Sequence, residues 1–143
     1  MQLKLHLIHS YGFVSQRYMK LAGDAAKNLL LISVKFPVGE DLPDSDKTKA
    51  KILALKEMYK KKYNQEPNQF VAQTYDAIWL AKVAIDAAKS TDPAKVRVAM
   101  QNIKGFQGAG GEFNFSPTRH SGLSKKDLVL VKWEDGKFKL ADY

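Results

Sequence analysis

The residues able to do chemistry are few, and their spacing is poor for it. His6 and His9 form an HxxH pair at the end of an alternating segment. Residues three apart on a strand face opposite ways, so the imidazoles share a metal only if the strand has ended by His9. The pair also lacks the helical spacing of a zinc protease. Ser10 and Ser15, with His9 and Asp24, offer a nucleophile, a base and an orienting acid. No G-x-S-x-G elbow surrounds either serine, and nothing fixes a base beside a nucleophile. Gly108-Ala109-Gly110-Gly111 lacks the lysine and hydroxyl of a phosphate loop and precedes a strand rather than a helix. A bulge or tight turn is expected there. His120 reads as a solvated or capping side chain in a polar loop. No catalytic residue, metal ligand or cofactor is therefore assigned. The aromatics Tyr11, Phe13, Phe70, Tyr75 and Trp79 remain. Such residues wall a solute cleft when a few polar groups join them, and otherwise fill a core.

Composition narrows the classes. The chain has 143 residues, the length of one domain, and no cysteine, which excludes disulfides, thiolate nucleophiles and Cys-based zinc sites. No apolar run approaches the roughly 20 residues of a membrane helix. Met1-Gln2-Leu3-Lys4 leads into the alternating segment without the apolar core and small-residue cleavage site of an export signal. A mature chain, an excised piece or a cytosolic protein would all begin this way. The net charge is +8, and Lys47, Lys49, Lys51, Lys56, Lys60, Lys61 and Lys62 fall on one predicted helix. A solvated helix face is the plain reading; a patch for nucleic acid or an acidic partner is the sharper one. That patch lacks interleaved aromatics, because Tyr59 and Tyr63 fall on the helix's apolar side.

These residues need elements to hold them. Leu3, Leu5 and Leu7 alternate with polar neighbours and predict a strand ending at His9-Ser10-Tyr11-Gly12. Ser15 to Asn28 reads as a helix with Tyr18, Leu21, Ala22, Ala25 and Ala26 on one face. Leu29 to Val34 is a continuous apolar run suited to a strand buried on both sides in a parallel sheet. Strand, helix, strand makes a βαβ unit, and ligands of such sheets sit beyond the carboxyl ends of strands, where His9 to Ser15 falls. A loop from Phe36 to Ser45 leads to a helix from about Asp46 to Tyr63, capped by Asp44 or Ser45, with Ile52, Leu55, Tyr59 and Tyr63 as its buried face. A second long helix covers about Gln69 to Ser90 with a stripe of Ala77, Ala81, Ala84, Ile85 and Ala88. Asp92 caps a third, with Pro93 in its first position and Val96, Ala99 and Met100 facing inward. The tail is β: Gly111 to Phe115, then Leu128 to Lys132 paired with Lys137 to Leu140 across Asp135-Gly136, a strong hairpin signal.

The order of certain runs resembles the C-terminal part of the type I solute-binding proteins of ABC transporters, the branched-chain amino acid-binding group. The runs are Ala22-Gly23-Asp24-Ala25-Ala26, Leu42-Pro43-Asp44, Tyr75-Asp76-Ala77, Gly105 to Phe115 and His120-Ser121-Gly122-Leu123. The similarity extends from about Leu3 to Leu140. It implies an α/β fold, a βαβ-containing three-layer piece with a C-terminal β-hairpin, and binding rather than catalysis. It also implies a small polar solute (carboxylate, amide or amino acid) as ligand, ABC permease subunits as partners, no nucleic acid, and a periplasmic or extracellular location, lipid-anchored in some organisms. By the family's pattern, residues 1–35 and 122–143 belong to one lobe and 36–121 to the other. The loop that in amino-acid binders supplies an acid for the substrate ammonium falls on Tyr11, flanked by Ser10 and Gly12. An aromatic wall position falls on Phe70, with Tyr75 beside the cleft. Between His9 and Arg17 this chain has no acid, which favours a carboxylate or a neutral amide. Family members are more than twice this length, so the isolated chain is expected to bind solute weakly or not at all. It is expected to dimerise, by exchanging elements, or to repack into one α/β unit. A stand-alone basic module and the sensing domain of a signalling receptor are the alternatives.

Overall fold

A four-stranded sheet is assembled from the two ends of the chain. The structure, a computed structural model, describes residues 7–27 and 29–141. The alternation at Leu3 and Leu5, His6, and the Asn28 end of the first predicted helix lie outside them. Strand β1 (Ile8–His9) pairs in parallel with β2 (Leu30–Val34), and helix α1 (Gln16–Ala22) lies between them in sequence. This is the expected βαβ order. Strand β5 (Leu128–Glu134) runs antiparallel to β2, setting Leu31 opposite Val131, and β6 (Lys137–Leu140) closes the order β1-β2-β5-β6. The hairpin turn is the expected one: Asp135 and Gly136 both take positive φ, as a two-residue turn between twisted strands requires.

Three sequence expectations fail locally. The sheet around β2 is mixed rather than parallel, and Ile32 is exposed while its four strand neighbours are buried. Helix α1 stops at Ala22, because Gly23 takes φ 55° and donates its N–H to the Met19 carbonyl. A 3-10 turn, Gly23–Ala26, follows. The break changes the helical phase, so Met19 and Ala26 are buried while Tyr18 is exposed and Leu21 is 85% exposed. The expected loop after β2 contains a buried 3-10 segment, Phe36–Asp41, whose Gly39 lies against Ile52 with no room for a side chain.

Helix α2 (Lys49–Tyr63) is not capped by Asp44 or Ser45. Thr48 precedes it, and the Asp46 carboxylate accepts from the Thr48 N–H and hydroxyl, folding the approach into a turn. Ile52 and Leu55 are its buried apolar residues, and Tyr63 swings out to solvent. Helix α3 (Gln69–Ala88) buries Gln69, Ala72, Asp76, Leu80 and Ala84. Only Ala84 belongs to the expected small-residue stripe; Ala77 and Ile85 are exposed. Helix α4 (Pro93–Gln101) starts as expected, with the Asp92 side chain accepting from the Lys95 N–H. Its Val96, Ala99 and Met100 pack on Leu80, Ala84 and Ile103. Strands β3 (Phe106–Gln107) and β4 (Glu112–Phe113) form a separate two-stranded pair.

The apolar interior has three parts. Val14, Met19, Ala26, Leu31, Val38, Val131 and Phe138 lie under the sheet. Val34, Phe36, Leu42, Ile52, Leu55, Ala72 and Ala109 join it to α2 and α3. The third sits between α3 and α4.

Candidate functional site

The segment after β1 is a one-turn 3-10 helix, Tyr11–Phe13, held by its own backbone: the Ser10 carbonyl accepts from Phe13 N–H and the Tyr11 carbonyl from Val14 N–H. Ser10 donates its N–H to His9 Nδ1, and Ser10 and Gly12 are exposed. Tyr11 is half-buried against the cluster around Val34 and Phe36, and that burial raises its phenol pKa. Tyr75 packs on the same cluster from α3. Phe13 is exposed and forms an aromatic group with His9 and Tyr18, at ring distances of 4.0 and 5.9 Å.

Phe70 sits at the start of α3, where the Asn68 side chain accepts from the N–H groups of Phe70 and Val71. It is 41% exposed. Together with Tyr75 it lines an apolar recess of about 460 Å³ between α2 and α3, with Met58, Tyr59, Tyr63 and Ile78 as further walls. Trp79 follows Tyr75 at a ring distance of 6.2 Å and is exposed. Ser10, Tyr11 and Gly12 do not line that recess.

The connection between the two groups is Gln69, which sequence reasoning missed. Its side chain is fully buried. Its Nε2 donates to the Tyr11 carbonyl at 2.6 Å, and its Oε1 accepts from the Ser33 hydroxyl at 3.2 Å. One amide therefore ties the loop after β1, the middle of β2 and the first turn of α3. An isolated glutamine at the start of a helix carries no motif. The available signal was its place at the head of the buried series 69, 72, 76, 80 and 84. On its far side Gln69 lines a groove of about 580 Å³, together with Arg17, Lys20, Lys56, Glu66, Asn68 and Lys137.

The glycine run is the expected tight turn, and two buried carboxylates build it. Gly108 N–H donates to the Gly111 carbonyl at 2.8 Å. Asp76 from α3 accepts from the Ala109 and Gly110 N–H groups at 2.8 and 2.7 Å. A Cβ on Gly108 would stand 2.6 Å from the Asp76 carboxylate. Burial raises the Asp76 pKa, against the pull of those two N–H groups and of Lys51. Asp127 accepts from Glu112 N–H, Ser124 N–H and the Ser124 hydroxyl. Burial opposes its charge too, but these donors hold its pKa below the usual carboxylate range. Both acids are spent on backbone.

The basic helix is not a uniformly solvated face. Lys49 bonds Asp44 and the Leu42 carbonyl, Lys51 the Gln107 carbonyl, Lys56 Glu40, and Lys60 pairs with Glu66. Lys56 is buried. Lys47, Lys61 and Lys62 are exposed. Asp24 pairs with Lys27, His9 Nδ1 is taken by Ser10, and His120 Nε2 meets the Pro117 carbonyl, so the serine-histidine set is not assembled. Among the described residues no helix is long and apolar enough to cross a membrane.

A sequence profile of the family described as periplasmic binding protein matches residues 4–137. The Leu/Ile/Val-binding protein homolog 1 of Brucella abortus is 30% identical over 139 residues, 95% of this chain. The match takes up 34% of that relative, so the chain spans about a third of its length. The crystal structure of an extracellular ligand-binding receptor from Rhodopseudomonas palustris superposes with a TM-score of 0.84 at 25% identity, over 94% of this chain and 40% of the other. An ABC transporter substrate-binding protein from Desulfitobacterium hafniense gives 0.72 at 26% identity, over 97% and 36%.

Proposed function

The chain belongs to the periplasmic binding protein family, and from that premise we propose that it is part of the substrate-capturing component of an ABC transporter. In this reading it carries one side of the cleft for a small polar solute. The Ser10-Tyr11-Gly12 turn and the Phe70 and Tyr75 walls meet the solute, and permease subunits receive it. The place of work is the periplasm or the outer face of the cell. Its role is binding and not catalysis.

The observation that carries this reading is the Gln69 tie. It brings the loop beyond the carboxyl end of β1, where open α/β sheets hold their ligands, to the aromatic start of α3. The four-stranded sheet from both chain ends and the helical part between Phe36 and Ser121 are assigned to two different lobes. A solute touching both would favour their closed arrangement.

Thermal unfolding of the chain with leucine, isoleucine, valine and the corresponding carboxylic acids tests this. At least one solute is expected to raise the transition temperature, and Phe70→Ala to abolish the rise. No rise with any of them, at millimolar concentration, would remove the solute-binding role from these residues. The rival reading, a basic nucleic-acid module, loses its main support because most lysines of α2 are held by partners within the chain.

A further inference from the structure

We propose that the groove between α1, β6 and residues 65–69 is a second binding site, separate from the solute walls, for a small organic anion carrying two or more carboxylate or phosphate groups. None of Ser10, Tyr11, Gly12, Phe70 and Tyr75 lines it, so this site does not depend on the solute-capture reading. Its volume, about 580 Å³, is that of a small-molecule site.

Once internal pairs are set aside, the charges of the groove have one sign. Its charged residues are Arg17, Lys20, Lys56, Glu66 and Lys137. Lys56 is paired with Glu40 at 2.5 Å, and Glu66 with Lys60 at 2.7 Å. Arg17, Lys20 and Lys137 are exposed, and among the described residues none of the three meets a carboxylate. Arg17 and Lys20 stand three residues apart on α1 and so share a face, while Lys137 comes from β6. Like charges around one concavity focus the field inside it. A monovalent anion meets one of these cations, whereas an anion with several acidic groups meets two or three. Arg17 adds a planar fork suited to a carboxylate or a phosphate.

The floor is preformed. Gln69 is fully buried and fixed through both atoms of its amide, to the Tyr11 carbonyl and the Ser33 hydroxyl. Lys56 is 8% exposed, and its ammonium lies 5.5 Å from the centre of the Phe36 ring as well as against Glu40. Val14 and Phe138 are buried and add apolar wall. A ligand therefore meets a fixed, partly apolar base and has only the rim side chains to order, which limits the entropy lost on binding. The apolar wall favours an organic anion over a bare inorganic one.

The nitrogen-15-labelled chain is titrated with citrate, phosphoglycolate and acetate at about 0.15 M salt, where distant surface charges are screened. The amide signals of Arg17, Lys20 and Lys137 report the groove, and those of Phe70 and Tyr75 the solute walls. The expected result is a saturable shift of the groove signals with citrate or phosphoglycolate, and an affinity for acetate at least about tenfold weaker. Whichever of the two binds more tightly tells whether the groove prefers carboxylates alone or a phosphate. Lys20→Gln combined with Lys137→Gln is expected to weaken that ligand at least about tenfold. Lys61→Gln, which removes an exposed α2 charge outside the groove, is expected to weaken it less than about twofold. Equal losses from the two changes would show general charge attraction and overturn the site. Acetate binding as tightly, shifts confined to Phe70 and Tyr75, or no saturation with either larger anion would overturn it too. Leucine and the other solutes tested at the aromatic walls remain a separate question under each of these results.

Discussion

Asp46 is part-buried and Asp76 buried, and the two carboxylates answer pH in opposite senses. Burial works against the charge on Asp46, but the Lys35 ammonium, the Thr48 hydroxyl and the Thr48 N–H outweigh it and bring its pKa to about 2. Its folded value lies below its unfolded one. Its stabilising contribution is therefore present above about pH 4 and is lost as pH falls towards 2. Asp46→Asn is expected to cost about 2 kcal/mol at pH 7 and to flatten the acid limb of a urea stability profile over that window. Asp76 lies the other way, raised by burial. The fold holds its proton more tightly than the unfolded chain does, so this group's contribution falls as pH climbs from the unfolded value through the raised one. Replacement by alanine removes the charge but strands the N–H groups of Ala109 and Gly110. Asp76→Ala is expected to cost about 2–4 kcal/mol in urea unfolding at neutral pH. The role of Asp76 was not visible in sequence, because it serves backbone groups of a distant turn, and such groups carry no residue signature. The Gly108–Gly111 run did show that a turn was needed. It did not show that Asp76 would fill the space its missing side chains leave.

Among the elements, sequence was most legible where a local rule acts alone. The Asp92-Pro93 start of α4, the Asp135-Gly136 hairpin and the long helices α2 and α3 all follow from neighbours within a few positions. It was least legible where tertiary packing chooses between faces. In α3 the alanine stripe and the buried series differ by about one residue of helical phase, and the glycine turn against Asp76 decides for the second. In α1 one glycine with positive φ ends the helix and undoes the apolar face read across it. The candidate site shows the same division. Tyr11, Phe70 and Tyr75 stood out by type and by resemblance, whereas Gln69 became visible only through its two long-range hydrogen bonds. The cap of α3 is testable on its own. Asn68→Ala should cost about 1 kcal/mol, as cap removals do. It should also loosen the first turn, seen as faster amide exchange at Phe70 and Val71 with no change near Ala84.

The whole molecule shows more apolar surface than its size requires. Leu7, Ile8, Tyr18 and Leu21 are exposed on the β1–α1 side, and Met58, Tyr63, Phe70, Ile78 and Trp79 on the α2–α3 side, with Ile78 at 67%. Among the described residues, strands β1 and β6 stand at the two edges of the sheet. Surfaces of this kind draw molecules together. Light scattering after size exclusion is expected to give a mass that rises with concentration towards a dimer, and Ile78→Lys to lower it. A monomer at every concentration would exclude the association. The sheet carries a last consequence. Its central pairing, Leu31 with Val131, joins positions about a hundred residues apart, a contact that closes late. A ribosome that stalls before Leu128 therefore releases a chain in which Leu30–Val34 lacks its antiparallel neighbour. That nascent fragment, sticky and half-zipped, is the species most in need of a chaperone.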